Sequence, residues 1–135
     1  MKELNDVIER TTGKFIWSYD NDHIIYLKKD PITLIADSVY LHKIGSPSSS
    51  DILLYKENDN EFNLSLSLSR TKKYIYINIE STNSNEIRLI DTHNPINKPL
   101  VFISRMENHL YYLEHIEEEN FFVRTTFCLL YTSPS

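Results

Sequence analysis

The chain has 135 residues, 41% of them hydrophobic and 24% charged, with fourteen Lys or Arg against nineteen Asp or Glu and a formal net charge of −5. This is the balance of a soluble domain rather than a disordered segment, and the scattered basic residues offer no face for nucleic-acid phosphates. No apolar run approaches the roughly twenty residues that span a bilayer. The start, Met1-Lys2-Glu3-Leu4-Asn5-Asp6, has no apolar stretch of the secretory kind, so a cytoplasmic location and no membrane partner are expected. One cysteine, Cys128, excludes an internal disulfide framework and a Cys-based zinc cage.

In chain order, a short helical option at Glu3 to Arg10 comes first, and β-type segments follow. They run Lys14 to Trp17, His23 to Lys28, Ser38 to Ile44 and Ile52 to Lys56. From Phe62 the apolar positions Phe62, Leu64, Leu66 and Leu68 alternate with Asn63, Ser65 and Ser67, the period of a strand with one buried face. Tyr74 to Ile79 places the β-branched Ile75, Ile77 and Ile79 on one face. Asn85 to Asp91, Leu100 to Ser104, Leu110 to Leu113 and Asn120 to Thr125 complete the set. Turn formers separate them: Asp20-Asn21-Asp22, Gly45-Ser46-Pro47, Asn58-Asp59-Asn60, Ser81 to Ser84 and Asn94-Pro95. Many short strands with a turn roughly every ten residues mean an all-β fold.

A weak repeat runs through these segments. His23-Ile24-Ile25-Tyr26-Leu27, Lys73-Tyr74-Ile75-Tyr76-Ile77 and Asn120-Phe121-Phe122-Val123-Arg124 each follow a polar turn, at spacings of fifty and forty-seven residues. Two groups of four strands plus two strands of a third fit one propeller blade per repeat. The expected fold is therefore a partial β-propeller: about two four-stranded antiparallel blades and the start of a third, dividing near Asn58 to Glu61 and near Ser104 to Asn108. A sandwich or a barrel is the alternative that the pattern leaves open.

The wording of these segments resembles a known family. Thr12-Gly13-Lys14-Phe15-Ile16-Trp17-Ser18-Tyr19-Asp20-Asn21-Asp22 is similar to the start of a propeller blade in the prolyl oligopeptidase family of serine peptidases. Ile25 to Leu34 is similar to the continuation of that blade in oligopeptidase B, and Ser38 to Gly45 resembles the family strand that ends in a His-x-x-Gly turn. Asp51 to Glu57, then Asp59, Phe62 and Leu64, and then Glu80 to Asp91, follow in the family's order. The resemblance covers about Leu4 to Thr125. It implies a propeller that caps an α/β-hydrolase domain with a Ser–Asp–His triad and gates the access of short peptides, cleaved after Arg or Lys.

Residues 1–127 would then be the propeller fragment, with the hydrolase domain and short peptide substrates as partners of the parent enzyme. The tail Cys128-Leu129-Leu130-Tyr131-Thr132-Ser133-Pro134-Ser135 departs from the family. It reads like the translation of a sequencing adapter, so residues 128–135 are expected to be non-native.

A hydrolase serine needs a G-x-S-x-G elbow; the two glycines, Gly13 and Gly45, frame no serine in that way, and Gly45-Ser46-Pro47 reads as a turn. His109 and His115 with Glu114, Glu117, Glu118 and Glu119 lack metal-ligand spacing and read as a charged loop. His23, His42 and His93 sit at strand ends or turns, solvated or bonded to backbone. Asp20, Asp22 and Asp30 suit turns. The nine tyrosines read as strand packing with hydroxyls reaching water, and the sequon Asn63-Leu64-Ser65 lies on a strand expected to be buried.

No catalytic, cofactor-binding or metal-binding residue is therefore expected, and no cofactor. The chain alone should be inactive, and poorly stable because the outer faces of its first and last units lack neighbours. A propeller used only as a binding scaffold is the competing class of function.

Overall fold

The computed structural model describes residues 11–19, 21–33, 35–118 and 120–125, with side chains from Phe15 onward. Strands β1 (Thr11–Trp17), β2 (His23–Lys29), β3 (Ala36–Lys43) and β4 (Ile52–Lys56) form one antiparallel sheet in chain order. Strands β5 (Asn63–Leu68), β6 (Tyr74–Glu80), β7 (Asn85–Asp91) and β8 (Leu100–Ile103) form a second in the same order. Strands β9 (Tyr111–Glu117) and β10 (Asn120–Thr125) pair as a hairpin. These are two complete four-stranded units and the first half of a third, divided where the sequence places the breaks.

The helical option at Glu3 to Arg10 lies outside the described residues. Among the described ones the helical content is a single 3-10 turn, Ser48–Ser50. The acidic stretch differs from expectation. Glu114 to Glu117 are not loop but the end of β9, with Glu114 paired to Phe122 and Glu117 to Asn120. Strand alternation carries Glu114 away from the buried Leu113 and His115 side, and Glu117 is exposed at the end of the strand.

Each sheet packs face to face on the next. One core joins Ile25, Leu27, Val39 and Leu41 of the first sheet to Leu64, Leu66, Ile75, Ile77, Ile79 and Ile90 of the second. Strand β5 lies against β1, β2 and β3. A second core joins Tyr76, Ile87 and Leu89 to Tyr111 and Leu113 of the hairpin, with Tyr74, Phe102, Ile103 and Phe121 around it. Strand β6 therefore serves both. Its odd positions face the first sheet and its even positions face the hairpin, as a period of two requires.

The repeat is sharper in the backbone than in the side chains. In the β1–β2 turn the Ser18 N–H donates to His23 O (2.9 Å) and the Asn21 N–H to Ser18 O (3.1 Å). In the β5–β6 turn the Ser69 N–H donates to Tyr74 O (2.9 Å) and the Lys72 N–H to Ser69 O (2.9 Å). Each serine hydroxyl also accepts from the N–H five residues on, at 3.3 and 3.2 Å. Asn21 and Lys72 hold the same left-handed backbone, at φ 61 and 64. The true repeat therefore aligns His23 with Tyr74, one residue beyond the match read from sequence, and sets Ile24 with Ile75 and Ile25 with Tyr76. Both outer strands carry a bulge at the same place, beside Leu54 in β4 and Phe102 in β8.

The far side of the hairpin has no covering sheet among the described residues. Tyr112, Ile116 and Phe122 are about half exposed there. Between the first two sheets the seam is tightly closed, and Ile77 is fully buried at its centre. Replacing Ile77 with Ala should destabilise the chain by about 2–5 kcal/mol through lost transfer energy and a cavity. Leu68→Ala, at a position 41% exposed, should cost under about 1 kcal/mol. Urea denaturation of the two variants beside the parent checks this difference.

Candidate functional site

The polar groups of the chain gather where sheets meet. The largest cluster sits at the seam of the first two sheets, on the side where β4 and β8 end. Arg105, in the β8–β9 connection, donates from Nη2 to Glu57 Oε1 at 2.6 Å and from Nη1 to Glu57 Oε2 at 3.3 Å. Its Nε donates to Glu86 Oε1 at 3.0 Å, and its Nη2 also reaches the Tyr55 hydroxyl at 3.1 Å. The Arg88 Nε donates to the other Glu86 oxygen at 2.7 Å, and its guanidinium lies over the Tyr55 ring. The Tyr55 hydroxyl donates to Glu57 Oε1 at 2.5 Å. Two carboxylates thus meet two guanidiniums.

Burial pushes the Glu57 carboxyl upward, but the hydrogen bonds from Arg105, Tyr55 and the Asp59 N–H outweigh it and hold it below its ordinary range. In Glu86 burial is likewise outweighed by Arg105 and Arg88. Burial and the bond to Glu57 push the Tyr55 hydroxyl up to about 12. Every acid here is committed as a charged acceptor and every base as a donor. No group is left poised for proton transfer near neutral pH.

The second seam is held by Tyr111, which is fully buried. The bulge between β7 and β8 leaves backbone groups without ladder partners, and the Tyr111 hydroxyl takes them up. It accepts from the Ile87 N–H (2.8 Å) and the Ile103 N–H (3.3 Å) and donates to Ile103 O (2.7 Å). The Asn85 side chain completes the join as a peptide would. Its Nδ2 donates to Tyr111 O at 2.7 Å, and its Oδ1 accepts from the Tyr111 N–H at 2.9 Å.

The histidines separate into different environments. His115 is buried, with Nε2 on Glu118 O (2.7 Å) and Nδ1 on the Thr71 hydroxyl (2.5 Å). Because a carbonyl can only accept, Nε2 donates to Glu118 O, and in the neutral ring Nδ1 accepts from the Thr71 hydroxyl. His109 stacks on Tyr111 and bonds the Thr125 hydroxyl at 2.6 Å, and burial lowers its pKa. The two histidines therefore belong to separate contacts rather than to one site. Among the described residues no three His, Cys, Asp or Glu side chains converge as metal ligands.

His42 differs from the reading made of it. It is not solvated but fully buried, with Nδ1 2.6 Å from Asp51 Oδ1, while the Tyr26 hydroxyl donates to the other Asp51 oxygen at 2.5 Å. Burial, then the bond to Asp51, pushes the Tyr26 hydroxyl upward. This trio ties β2 and β3 to the loop that precedes β4.

The remaining candidates are local. Asp30 accepts from the Ile32 and Thr33 N–H groups, the Asp22 carbonyl accepts from the Ile44 N–H, and His93 stacks on Tyr19. Asp20 and Glu119 lie outside the described residues. The Ser46 hydroxyl and N–H both return to Lys43 O, and Gly45, at φ 93, makes the turn that Gly45-Ser46-Pro47 indicated. The hydroxyls of Tyr26, Tyr55, Tyr76 and Tyr111 bond protein groups. In the sequon, Asn63 and Ser65 are exposed and only Leu64 is buried.

Comparison with known proteins places this architecture. The model of the prolyl oligopeptidase N-terminal β-propeller domain matches residues 1–127. Dipeptidyl aminopeptidase BI of Pseudoxanthomonas mexicana is 37% identical over 92 residues, 68% of this chain and 13% of that protein. Protease 2 of Moraxella lacunata is 31% identical over 107 residues, 79% of this chain and 15% of that protein.

Among solved structures, oligopeptidase B from Trypanosoma brucei with covalently bound antipain, in a closed form, superposes with a TM-score of 0.81 at 26% identity, over 87% of this chain and 17% of that one. Oligopeptidase B from Leishmania major shares the fold, with a TM-score of 0.84 at 23% identity over 92% of this chain and 17% of that one. The chain thus spans roughly a seventh of the curated relatives it matches.

Tyr111→Phe should cost about 2–3 kcal/mol, because it leaves the Ile87 and Ile103 amides buried without a partner. Tyr112→Phe, one residue away and half exposed, should stay within about 0.5 kcal/mol. Chemical denaturation with a common slope checks both.

Proposed function

The chain belongs to the prolyl oligopeptidase family, as part of its N-terminal β-propeller domain, and from that premise we propose that it is the non-catalytic gating portion of a serine peptidase that cleaves short peptides after Arg or Lys. The observation that carries this reading is the match along residues 1–127, together with two four-stranded units in family order. In this reading residues 1–127 are propeller and residues 128–135 are not native to it.

The chemistry follows from what the polar groups do. Acyl transfer needs a nucleophile beside a base and two donors aimed at the developing oxyanion. Here Arg105, Arg88, Glu57 and Glu86 neutralise one another, and His115 and His42 hold loops in place. In this reading the catalytic residues and the oxyanion hole lie in the α/β-hydrolase partner domain, and this portion contributes walls. Rigid blades around the access path would admit an extended peptide and exclude a folded protein by size. No cofactor takes part.

The purified chain should release no product from an arginyl amide above the solvent background. The parent polypeptide should cleave a short arginine-containing peptide and leave the same sequence intact inside a folded protein. Turnover by the chain alone, shown to survive removal of contaminating peptidases and to co-purify with it through two separations, would overturn the reading. Failure of the parent to form an acyl-enzyme with a serine-directed reagent would also do so.

A further inference from the structure

The seam between the first two sheets has two unlike parts. Its centre is apolar, built from Ile25, Leu27, Val39 and Leu41 against Leu64, Leu66, Ile75, Ile77 and Ile79. Such packing is strong but has little directional preference. At the side where β4 and β8 end lies the cluster around Arg105, and there the geometry is fixed by paired, charge-assisted bonds.

The origin of the partners matters. Glu57 stands in the β4–β5 connection, and Tyr55 in the outer strand of the first sheet. Glu86 and Arg88 belong to β7 of the second sheet. Arg105 comes from the connection beyond the second sheet and grips both. Its guanidinium also lies 4.1 Å over the Phe62 ring at the head of β5. One side chain therefore ties two successive connections across a whole sheet. At the opposite rim the join is lighter: the Tyr19 N–H donates to Thr92 O (3.0 Å), and an exposed Tyr19 ring stacks on His93.

We propose that Arg105 is a hinge restraint, which fixes the angle between the first and second sheets and whose loss lets the first sheet pivot on the apolar seam while both sheets stay folded. Each sheet keeps its own hydrogen-bonded ladder without Arg105, and the second sheet keeps its cover on the hairpin side. The element released is the rim of the first sheet.

The test is hydrogen exchange in the intact polypeptide that carries this sequence, with Arg105→Met, Arg105→Lys and Lys56→Ala. Arg105→Met should speed exchange in β4 and the 57–62 connection at least about tenfold while β6 and β7 stay within about twofold. Arg105→Lys should fall between, since one ammonium cannot fork two carboxylates. Lys56→Ala, which removes the exposed pair with Asp37, should leave exchange unchanged.

In the parent protein the same amides should loosen as pH falls below the usual glutamate value of 4.5. The carboxylates that face Arg105 and Arg88 hold pKa values depressed in the folded state, so their contribution is present above 4.5 and is lost as pH falls through the lower folded value. The titratable groups facing them among the described residues are Tyr55, Arg88, Arg105 and, toward Glu86, Tyr111. Unchanged exchange in Arg105→Met would overturn the proposal. Equal loss of protection in every strand, in both Arg105 variants, would overturn it too.

Discussion

Strand β6 must satisfy two neighbours at once, and the rest of the structure follows from how it does so. A sheet in the middle of a stack has no solvent face, so both sets of alternating side chains need partners. In β6 the odd positions Ile75, Ile77 and Ile79 are β-branched and compact, and they close against the aliphatic face of the first sheet. The even positions Tyr74 and Tyr76 are long and carry a hydroxyl, and they reach across to the hairpin. The Tyr76 hydroxyl accepts from the His115 N–H at 2.9 Å. Exchanging the two sets would overfill one seam and leave a void with unpaired donors in the other.

The two seams use the same backbone frame with different chemistry. The six-residue turns at Ser18–His23 and Ser69–Tyr74 repeat bond for bond, and so do the bulges in β4 and β8. The polar locks do not repeat. Position 57 in the first connection is Glu and the corresponding position 105 in the second is Arg, so two copies of one element become complementary. The same charged side chain at both sites would repel its copy. An ion pair between the two connections therefore requires the repeat to vary at this point.

How much of this was legible in the sequence depends on whether period or pairing carries the information. Strand periods are written in Phe62 to Leu68 and Tyr74 to Ile79, and each of the ten described strands overlaps a segment read as β-type, although β9 runs on to Glu117. Turn chemistry likewise foretold Gly45-Ser46-Pro47 and the break at Asn58-Asp59-Asn60, and repeat spacing foretold the break near Ser104 to Asn108. The register of the repeat was read one residue short, because Ile25-Tyr26 and Ile75-Tyr76 match in residue type while the backbone turn aligns His23 with Tyr74. The locks were missed for a different reason. Arg105 lies 48 residues from Glu57, Tyr111 lies 24 from Ile87, and no local pattern announces such pairs. Buried His42 was missed because its partner Asp51 lies across a turn. The only available signal was an uncharged strand face interrupted by a histidine.

These long-range locks also change how the stack holds together. In a simple solenoid, stability is a sum over units and nearest-neighbour interfaces. Here the connection beyond the second sheet supplies the residue that clamps the first sheet to the second. The first seam is therefore not complete when its two sheets have formed; it waits for chain that leads into the third unit. The bulge of β7 and β8 is in the same position, since its loose amides are satisfied only when Tyr111 of that third unit arrives. A buried donor left open costs about 1–3 kcal/mol, which is a large share of the margin of a small domain. Each unit thus depends on one that follows it in the chain, and cooperativity reaches further than the apolar faces alone would carry it.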